Sequence, residues 1–317
     1  MQLFEWHLLV NQNAGAGKAR KIMPEIIKKL KEYKIKYKCY YTEHAGHEKR
    51  IVTQLLNQTL VPYDKELPVF PLLVVVGGDG TLHGVVNMLK KFPEIPIGYI
   101  PGGSGNDFAR GVGIPNNPIE AMDKIVQTKK PRSLYLINSF LNRTKKEIIG
   151  LNNLGVGLDA AVVRATNASK MKSSLNSVNM GAFSYLSNAF GILRKQKGFP
   201  IDITVNGRTH HFNNAYLCTV TNHPYFGGGL ALDPTATAEN EELNLIVIEK
   251  IALYKIMALI PKLLKKTHLA SPHVRQFKGQ EIKLRSTSRE FGQIDGEELR
   301  KDPIDIDFSL TSHLFWF

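Results

Sequence analysis

The sequence predicts an α/β N-terminal domain with a parallel sheet, followed by a C-terminal domain of antiparallel β-strands. Up to about residue 131, apolar strand-like segments alternate with segments of helical spacing, which is typical of a parallel sheet covered by helices. Beyond that point, short strand signals follow one another with turn residues between them, which indicates an antiparallel sandwich or barrel. A chain of 317 residues has room for two such domains.

The first domain is predicted to span residues 1–132. It begins with an apolar segment suited to a buried strand, then a Gly-rich turn, then helical spacing, and this order repeats along the domain. The predicted strands are residues 6–10, 36–42, 71–76 and 97–100, and the predicted helices are residues 18–33, 48–57 and 82–92.

The second domain is predicted to span residues 133–307. Its strand signals lie at residues 133–140, 147–153, 201–205, 214–221, 243–249 and 281–285. Two further segments, residues 167–197 and 250–268, are predicted to be helical. Residues 308–317 are apolar enough to return and pack on the first domain.

The composition narrows the class of protein. Hydrophobic residues at 43% and charged residues at 22% predict a packed core. The 41 Lys and Arg exceed the 28 Asp and Glu by 41 − 28 = +13, which favours nucleotides, nucleic acid or an anionic membrane as partners without choosing among them. Two cysteines are too few for a disulfide framework.

No apolar run approaches the roughly 18 residues of a membrane span, so the expected location is cytoplasmic with peripheral membrane contact.

The strongest local signal is the segment VVVGGDGTL at residues 74–82, a buried strand that ends in a Gly-rich turn and opens a helix. Glycines let the backbone approach a ligand, and the N–H groups at a helix N-terminus bind anions. Asp79 in this turn would repel a phosphate unless Mg²⁺ lay between them. The alternative is an ordinary turn in which Asp79 caps the helix.

Two more Gly-rich turns follow predicted strands, at residues 11–18 and 101–110. Loops after parallel strands emerge at the same carboxyl edge of the sheet, so these turns should converge on one ligand. Lys18 is either a counter-charge for phosphate or an exposed lysine of a basic helix. The first turn is not a P-loop, because Ala19 stands where that motif needs Ser or Thr.

Five segments occur in the order of a known family: GGDGT at 77–81, GSGNDFAR at 103–110, GVGLDA at 155–160, FGGG at 226–229 and DGE at 295–297. With them the chain resembles the diacylglycerol kinase catalytic family, which includes sphingosine and ceramide kinases and bacterial lipid kinases. The resemblance implies a nucleotide-binding α/β domain, a C-terminal β-sandwich for the lipid, and an active site in the cleft between them.

The same resemblance implies an ATP-dependent kinase that phosphorylates a lipid hydroxyl, with diacylglycerol as the first candidate and phosphatidic acid as its product in phospholipid biosynthesis. Mg²⁺ is expected at Asp79 and Asp107. Catalysis is assigned to Asp79, to Asp295, and to Glu297 as the base for the lipid hydroxyl. The residues expected to bind ATP are Asn11, Thr42, Gly77, Gly78, Asp79, Gly80, Thr81, Leu82, Ser104 and Asn106.

Each assignment has a structural alternative. Asp107 is equally suited to a helix N-cap, and the Asp-Gly pair at 295–296 is also a good hairpin turn. Asp159 is expected to be structural. His83 stands where the family usually has Glu, so it is interpreted as a residue of the helix face.

Four lysines, Lys255, Lys262, Lys265 and Lys266, border an apolar segment that suits either a membrane interface or a helix packed on the sandwich. The rival functions are an NAD kinase-like enzyme and a nucleotide-responsive lipid-binding protein without turnover. No nucleic-acid-binding module is recognised beyond the net charge, so nucleic acid is not expected as a partner. A homodimer stays open.

Overall fold

The computed structural model describes residues 3–172 and 191–317. They form two compact units. The first unit extends to Leu134 and includes Ser312–Phe317, and the second unit is Tyr135–Thr311. Residues 173–190, which belong to the segment predicted to be helical at 167–197, lie outside the described residues.

The sheet of the first unit has the strand order β2-β1-β3-β4, and each neighbouring pair is parallel. Val74, Val75 and Val76 of the third strand have no solvent exposure, as expected for a strand covered on both faces. The strands are β1 (Leu3–Val10), β2 (Lys36–Tyr41), β3 (Val69–Gly77) and β4 (Ile97–Pro101).

Helices connect these strands and bury one apolar face each. In the first helix, the buried residues Ala19, Met23, Ile26 and Leu30 recur at the three- and four-residue spacing of an amphipathic helix. The helices are α1 (Ala14–Glu32), α2 (His47–Gln58), α3 (Asp79–Leu89), α4 (Asp107–Gly111) and α5 (Pro118–Gln127).

The C-terminal segment belongs to the first unit. Phe315 pairs in parallel with Ile97 of β4. The Trp316 ring lies 4.9 Å from the ring of Phe4, and its indole N–H donates to the carbonyl of Ile125 at 3.1 Å. A fully buried tryptophan with its N–H satisfied fastens the end of the chain to this unit.

The second unit is built mainly from antiparallel strands, and its largest core cluster is lined by Leu154, Phe199, Val220, Leu245 and Leu284. Among the described residues, its helices include α6 (Leu158–Lys172) and α7 (Leu253–Leu264). Two strands cross the limits of this unit: β5 (Arg132–Leu141) begins before it and β15 (Glu297–Phe315) ends after it. The strands between them are β6 (Lys146–Gly150), β7 (Asn153–Gly157), β8 (Phe199–Val205), β9 (Arg208–Thr221), β10 (Tyr225–Phe226), β11 (Leu230–Ala231), β12 (Leu243–Glu249), β13 (Val274–Gly279) and β14 (Ile282–Ile294).

Several predicted elements differ from the observed ones. The strand predicted at 147–153 is two strands, β6 and β7, because the chain bends at residues 151 and 152. The helix predicted from residue 167 begins earlier, at Leu158. The strand predicted at 281–285 continues to Ile294, and β13, β15 and α5 were not predicted as elements. Within the described residues, no helix is both long and apolar enough to cross a membrane.

Candidate active site

The three Gly-rich turns of the first unit lie against one another, as the sequence predicts. A Cβ added to Gly15 in the first turn would collide with the carbonyl oxygen of Gly102. A Cβ added to Gly103 would stand 2.7 Å from the Cα of Gly78, a separation that real Cβ atoms essentially never show. Glycine is therefore required at these contacts, since only bare backbone fits between the turns.

The first turn has an unusual backbone conformation. Gly15, Ala16 and Gly17 have positive φ angles of 59°, 56° and 87°, and the regular helix of α1 begins only after them. Ala16 is strained there because its Cβ disfavours the left-handed region. Lys18 follows directly and is exposed, which is compatible with either interpretation of this lysine.

Side chains at the ends of β1 and β2 join the turns. The Asn11 Nδ2 donates to Oγ1 of Thr81 at 2.9 Å, which links the end of β1 to the first turn of α3. Thr42 is buried beside the same edge, and its backbone N–H donates to the carbonyl of Val10 at 2.9 Å. Residues that are 70 positions apart in the chain are therefore brought together at one edge of the sheet.

Asp79 does not cap its own helix, which corrects the structural alternative for this residue. The N-cap of α3 is Gly78 and no side chain caps it. The Asp79 carboxylate instead accepts the backbone N–H groups of Asp107 at 3.0 Å and Phe108 at 3.3 Å. Asp79 therefore binds the start of α4 and joins the second and third turns.

Asp107, whose backbone N–H binds Asp79, is 5% exposed. Its carboxylate accepts a hydrogen bond from Nη1 of Arg110 at 2.7 Å. The N-cap of α4 is Asn106, so Asp107 is the first residue of the helix rather than its cap. Burial and the two carboxylates raise the pKa of Tyr99 well above its ordinary value, and its hydroxyl donates to the carbonyl of Gly77.

Asn106 holds the third turn in shape. Its φ of 50° lies in the left-handed region, which Asn tolerates better than most residues. The side-chain oxygen accepts the N–H of Gly103 at 3.0 Å, and the side-chain nitrogen donates to the carbonyl of Gly103 at 3.1 Å. Ser104 is exposed at the tip of this turn. Asn106 therefore supports the turn from inside, whereas Ser104 is available at its surface.

The two carboxylates fit a magnesium ion that is shared with a ligand. Among the described residues, no group of three or more His, Cys, Asp or Glu side chains could hold a metal. Mg²⁺ commonly binds through one or two carboxylates and completes its shell with phosphate oxygens and water. Asp79 and Asp107 have the carboxylate oxygens that such an ion prefers, so they are the residues that would hold it.

In the second unit, Asp295 and Gly296 form the two-residue turn between β14 and β15, and this hairpin was predicted. Their φ angles of 50° and 86° are both positive, as in a type I′ turn. The Asp295 carboxylate accepts backbone N–H groups from Leu151 at 2.7 Å, Asn152 at 2.8 Å and Asn153 at 3.2 Å. Asp295 therefore fixes the hairpin to the bend between β6 and β7, and its catalytic role stays a prediction.

Glu297 is the first residue of β15 and is exposed. It pairs with Ile294 across the hairpin, so its backbone position follows directly from the turn. An exposed carboxylate on a fixed backbone is able to reach an incoming hydroxyl. Its role as the base stays a prediction.

The sequence did not predict a buried polar network below this hairpin. Asp159 is 1% exposed, and its Oδ2 accepts hydrogen bonds from Gln293 at 2.8 Å and Thr219 at 3.2 Å. A Cβ on Gly155 would collide with the same carboxylate. The motif GVGLDA could have revealed this network from the sequence, because its residues Gly155 and Asp159 come together at the start of α6. Asp159 therefore joins β7, β9 and β14, which agrees with the structural role expected for it.

An apolar cavity of about 110 Å³ lies in the second unit beneath α7. Its walls include Phe226, Leu232, Ile256 and Leu259, and Asp159 lies at its edge. The motif FGGG contributes directly, since it supplies Phe226 and the turn between β10 and β11. Such a space is suited to an apolar group.

Helix α7 has two different apolar faces. Ile256 and Leu259 are buried against the second unit. Tyr254 and Leu264 are 71% and 58% exposed, and Met257 is 36% exposed. The helix therefore packs on the strands and also keeps apolar side chains at the surface, so the two interpretations of this segment do not exclude each other.

The chain matches two family descriptions in succession. Residues 5–135 match "Diacylglycerol kinase catalytic domain", and residues 152–310 match "YegS C-terminal NAD kinase beta sandwich-like domain". The protein therefore belongs to the diacylglycerol kinase catalytic family, in which the catalytic domain is followed here by a β-sandwich-like domain of the YegS type.

Individual relatives agree with this assignment over nearly the full length. The chain is 26% identical over 301 residues to "Putative lipid kinase YtlR" of Bacillus subtilis (strain 168), covering 94% of each chain. It is 26% identical over 313 residues to a diacylglycerol kinase of Staphylococcus aureus (strain bovine RF122 / ET3-1), covering 97% of this chain and 90% of the relative.

A solved structure has the same fold. The crystal structure of a diacylglycerol kinase from Bacillus anthracis str. Sterne aligns with a TM-score of 0.74 at 21% identity, covering 99% of this chain and 96% of that one. At this identity the likeness concerns the fold alone.

Proposed function

We propose that this protein is an ATP-dependent lipid kinase that transfers the γ-phosphate of ATP to the hydroxyl of diacylglycerol and forms phosphatidic acid. The observation that carries the proposal is the convergence of three Gly-rich turns, two of which are joined by the hydrogen bond from the Asp107 backbone N–H to the Asp79 carboxylate, in a member of this family. Phosphoryl transfer depends mainly on positioning and on stabilising charge, and such a cradle of backbone and carboxylates is suited to both tasks.

The nucleotide site proposed for the first unit uses backbone more than side chains. The N–H groups at the start of α3, from Gly78 to Leu82, would face phosphate oxygens, since a helix N-terminus favours anions. Asn11 and Thr42 would contact the nucleotide from β1 and β2, and Ser104 would contact it from the third turn. Asp79 and Asp107 would hold Mg²⁺, which when bound neutralises charge on the phosphates.

The acceptor side proposed for the second unit uses Glu297 as the base. As the lipid hydroxyl oxygen bonds to the γ-phosphorus, the bond from that phosphorus to the β–γ bridging oxygen breaks and ADP leaves. The hydroxyl proton passes to the Glu297 carboxylate. Asp295 would act as a positioning residue, because its three backbone hydrogen bonds fix the hairpin that carries Glu297.

The apolar cavity beneath α7 favours a lipid acceptor over a polar one. Walls formed by side chains such as Leu232, Ile256 and Leu259 match an acyl chain, whereas a dinucleotide needs polar partners. Exposed Tyr254 and Leu264 beside the lysines of α7 would let the protein touch the bilayer that holds such a substrate.

The test is to incubate the protein with labelled ATP and Mg²⁺ and a panel of acceptors: diacylglycerol, ceramide, sphingosine, undecaprenol and NAD. Label in diacylglycerol supports the proposal. Label in NAD alone would identify an NAD kinase. Nucleotide binding without label in any acceptor would identify a binding protein without turnover.

A further inference from the structure

A groove in the second unit lies between α6 and the start of β15 and includes Glu298, the neighbour of Glu297, but not Glu297 itself. Its volume is about 530 Å³. We call it the cationic groove and define it by Arg164, Phe291, Glu298, Arg300 and Lys301. Three of these side chains are cationic and one is acidic, so the groove favours an anion.

A β-bulge creates this concentration of positive charge. The register between β14 and β15 shifts between Glu290 and Gly292, so that Phe291 alone faces two residues of β15, Arg300 and Lys301. In a regular strand, consecutive side chains point to opposite faces of the sheet. A bulge changes that alternation and redirects side chains, and here both cations line the same groove.

Two cations meet at the ring of Phe291. The guanidinium of Arg164 lies 4.1 Å from the ring centroid, and the Lys301 Nζ lies 4.9 Å from it. These are cation–π distances, so the ring holds both charges in place. Within the described part of the chain, neither cation makes an ion pair with a carboxylate, and Arg300 has only a long contact of 3.9 Å with Asp302. Glu298 lies in the groove and Glu290 attracts Lys301 electrostatically, so the counter-charge for Arg164 is the one that a bound anion would supply.

We propose that the cationic groove binds the phosphate headgroup of an anionic phospholipid in the bilayer that supplies the substrate. The inference rests on the proposed lipid-kinase function. Guanidinium and ammonium donors suit phosphate oxygens, and Phe291 supplies an apolar surface for the adjoining part of the lipid. The Asn167 Nδ2 on α6 donates to the carbonyl of Gly296 at 3.2 Å. The groove is therefore tied to the hairpin of Glu297, so a bound headgroup brings the bilayer to the acceptor side.

The experiment measures binding of the full chain, without nucleotide, to vesicles of phosphatidylcholine with or without phosphatidylglycerol. The double variant Arg164→Gln/Lys301→Gln is expected to bind the anionic vesicles about thirtyfold more weakly than the wild type, because each lysine or arginine near an anionic surface strengthens binding about fivefold. The matched control is Arg208→Gln/Lys283→Gln, which removes the same charge at exposed positions of the second unit. It should change binding less than about twofold.

The conservative variant Arg164→Lys/Lys301→Arg should keep the binding of the wild type, since it preserves both charges. Equal losses in the double variant and the control would overturn the inference, because only net charge would then matter. Displacement from the vesicles by millimolar inorganic phosphate would also overturn it, in favour of a site for soluble phosphate.

Activity on a short-chain soluble diacylglycerol separates this inference from the proposed function. The double variant should phosphorylate that substrate as the wild type does, and an equal loss there would assign the two cations to the fold or the active site instead. If the wild type phosphorylates no lipid while the selective loss of vesicle binding is observed, the proposed function fails and the cationic groove stands.

Discussion

Asp79 in the first unit and Asp295 in the second unit make the same kind of contact and are predicted to do different work. Each carboxylate accepts backbone N–H groups from another segment. Asp79 accepts two of them from the start of α4, and Asp295 accepts three from the bend between β6 and β7. The difference lies in the neighbours. One of the two N–H groups that Asp79 accepts belongs to a second aspartate, Asp107, whereas Asp295 stands two residues before an exposed glutamate.

The comparison teaches that a hydrogen-bonded carboxylate in a motif is not by itself a catalytic group. Asp295 accepts three backbone N–H groups, which fix the hairpin to the bend between β6 and β7. Asp79 is also expected to share Mg²⁺ with a second carboxylate, Asp107, whereas Asp295 was not assigned to a metal. We therefore expect variants at Asp79 to act mainly on turnover and variants at Asp295 to act mainly on stability.

The largest effect is expected for Asp79→Asn. Lipid phosphorylation should fall by at least about a hundredfold with the fold retained, because a neutral amide is a much weaker Mg²⁺ ligand near the phosphates. Initial rates at saturating ATP, together with a circular dichroism spectrum, measure both quantities. Near-normal turnover would reduce Asp79 to the structural link between its turn and α4.

Glu297→Gln should lower turnover by about a hundredfold and leave ATP affinity nearly unchanged, because a general base acts on the acceptor. Rates with a soluble diacylglycerol and the dissociation constant for ATP are the two readouts. Glu298→Gln is the control, since the neighbouring glutamate is also exposed and has no assigned role in transfer. A collapse of ATP affinity in Glu297→Gln would assign the residue to the nucleotide site.

Asp295→Asn should lower the free energy of unfolding of the protein by about 2 kcal/mol, because an amide cannot accept all three N–H groups and leaves buried donors unpaired. Denaturant unfolding measures this loss. Turnover at low temperature, where the variant is folded, should fall less than in Asp79→Asn. Unchanged stability together with lost turnover would make Asp295 a catalytic residue.

The smallest effect is expected for the surface of α7. Replacing Lys255, Lys262, Lys265 and Lys266 by Gln should raise the apparent KM for vesicle lipid several-fold, since these lysines would attract an anionic surface and physiological salt screens most of that attraction. Activity on a short-chain soluble analogue should be spared. Equal loss on both substrates would mean that these lysines support the fold.

The sequence alone predicted features that depend on short stretches of chain. The Gly-rich turns were recognisable because a glycine pattern between a buried strand and a helix is local, and so was the Asp-Gly hairpin at residues 295–296. Both were confirmed. The alternation of apolar strands and helices likewise located β1 to β4 to within a few residues.

Only the tertiary structure decided which groups these motifs meet. The N–H donors for Asp79 come from a helix start 28 residues later, and a donor for Asp295 lies 144 residues earlier. The bulge opposite Phe291 and the cavity beneath α7 are equally invisible in the sequence. The physical reason is that hydrogen-bond partners distant in the chain are set by the packing of whole sheets and helices, whereas turns and periodicity are set by the conformational preferences of neighbouring residues.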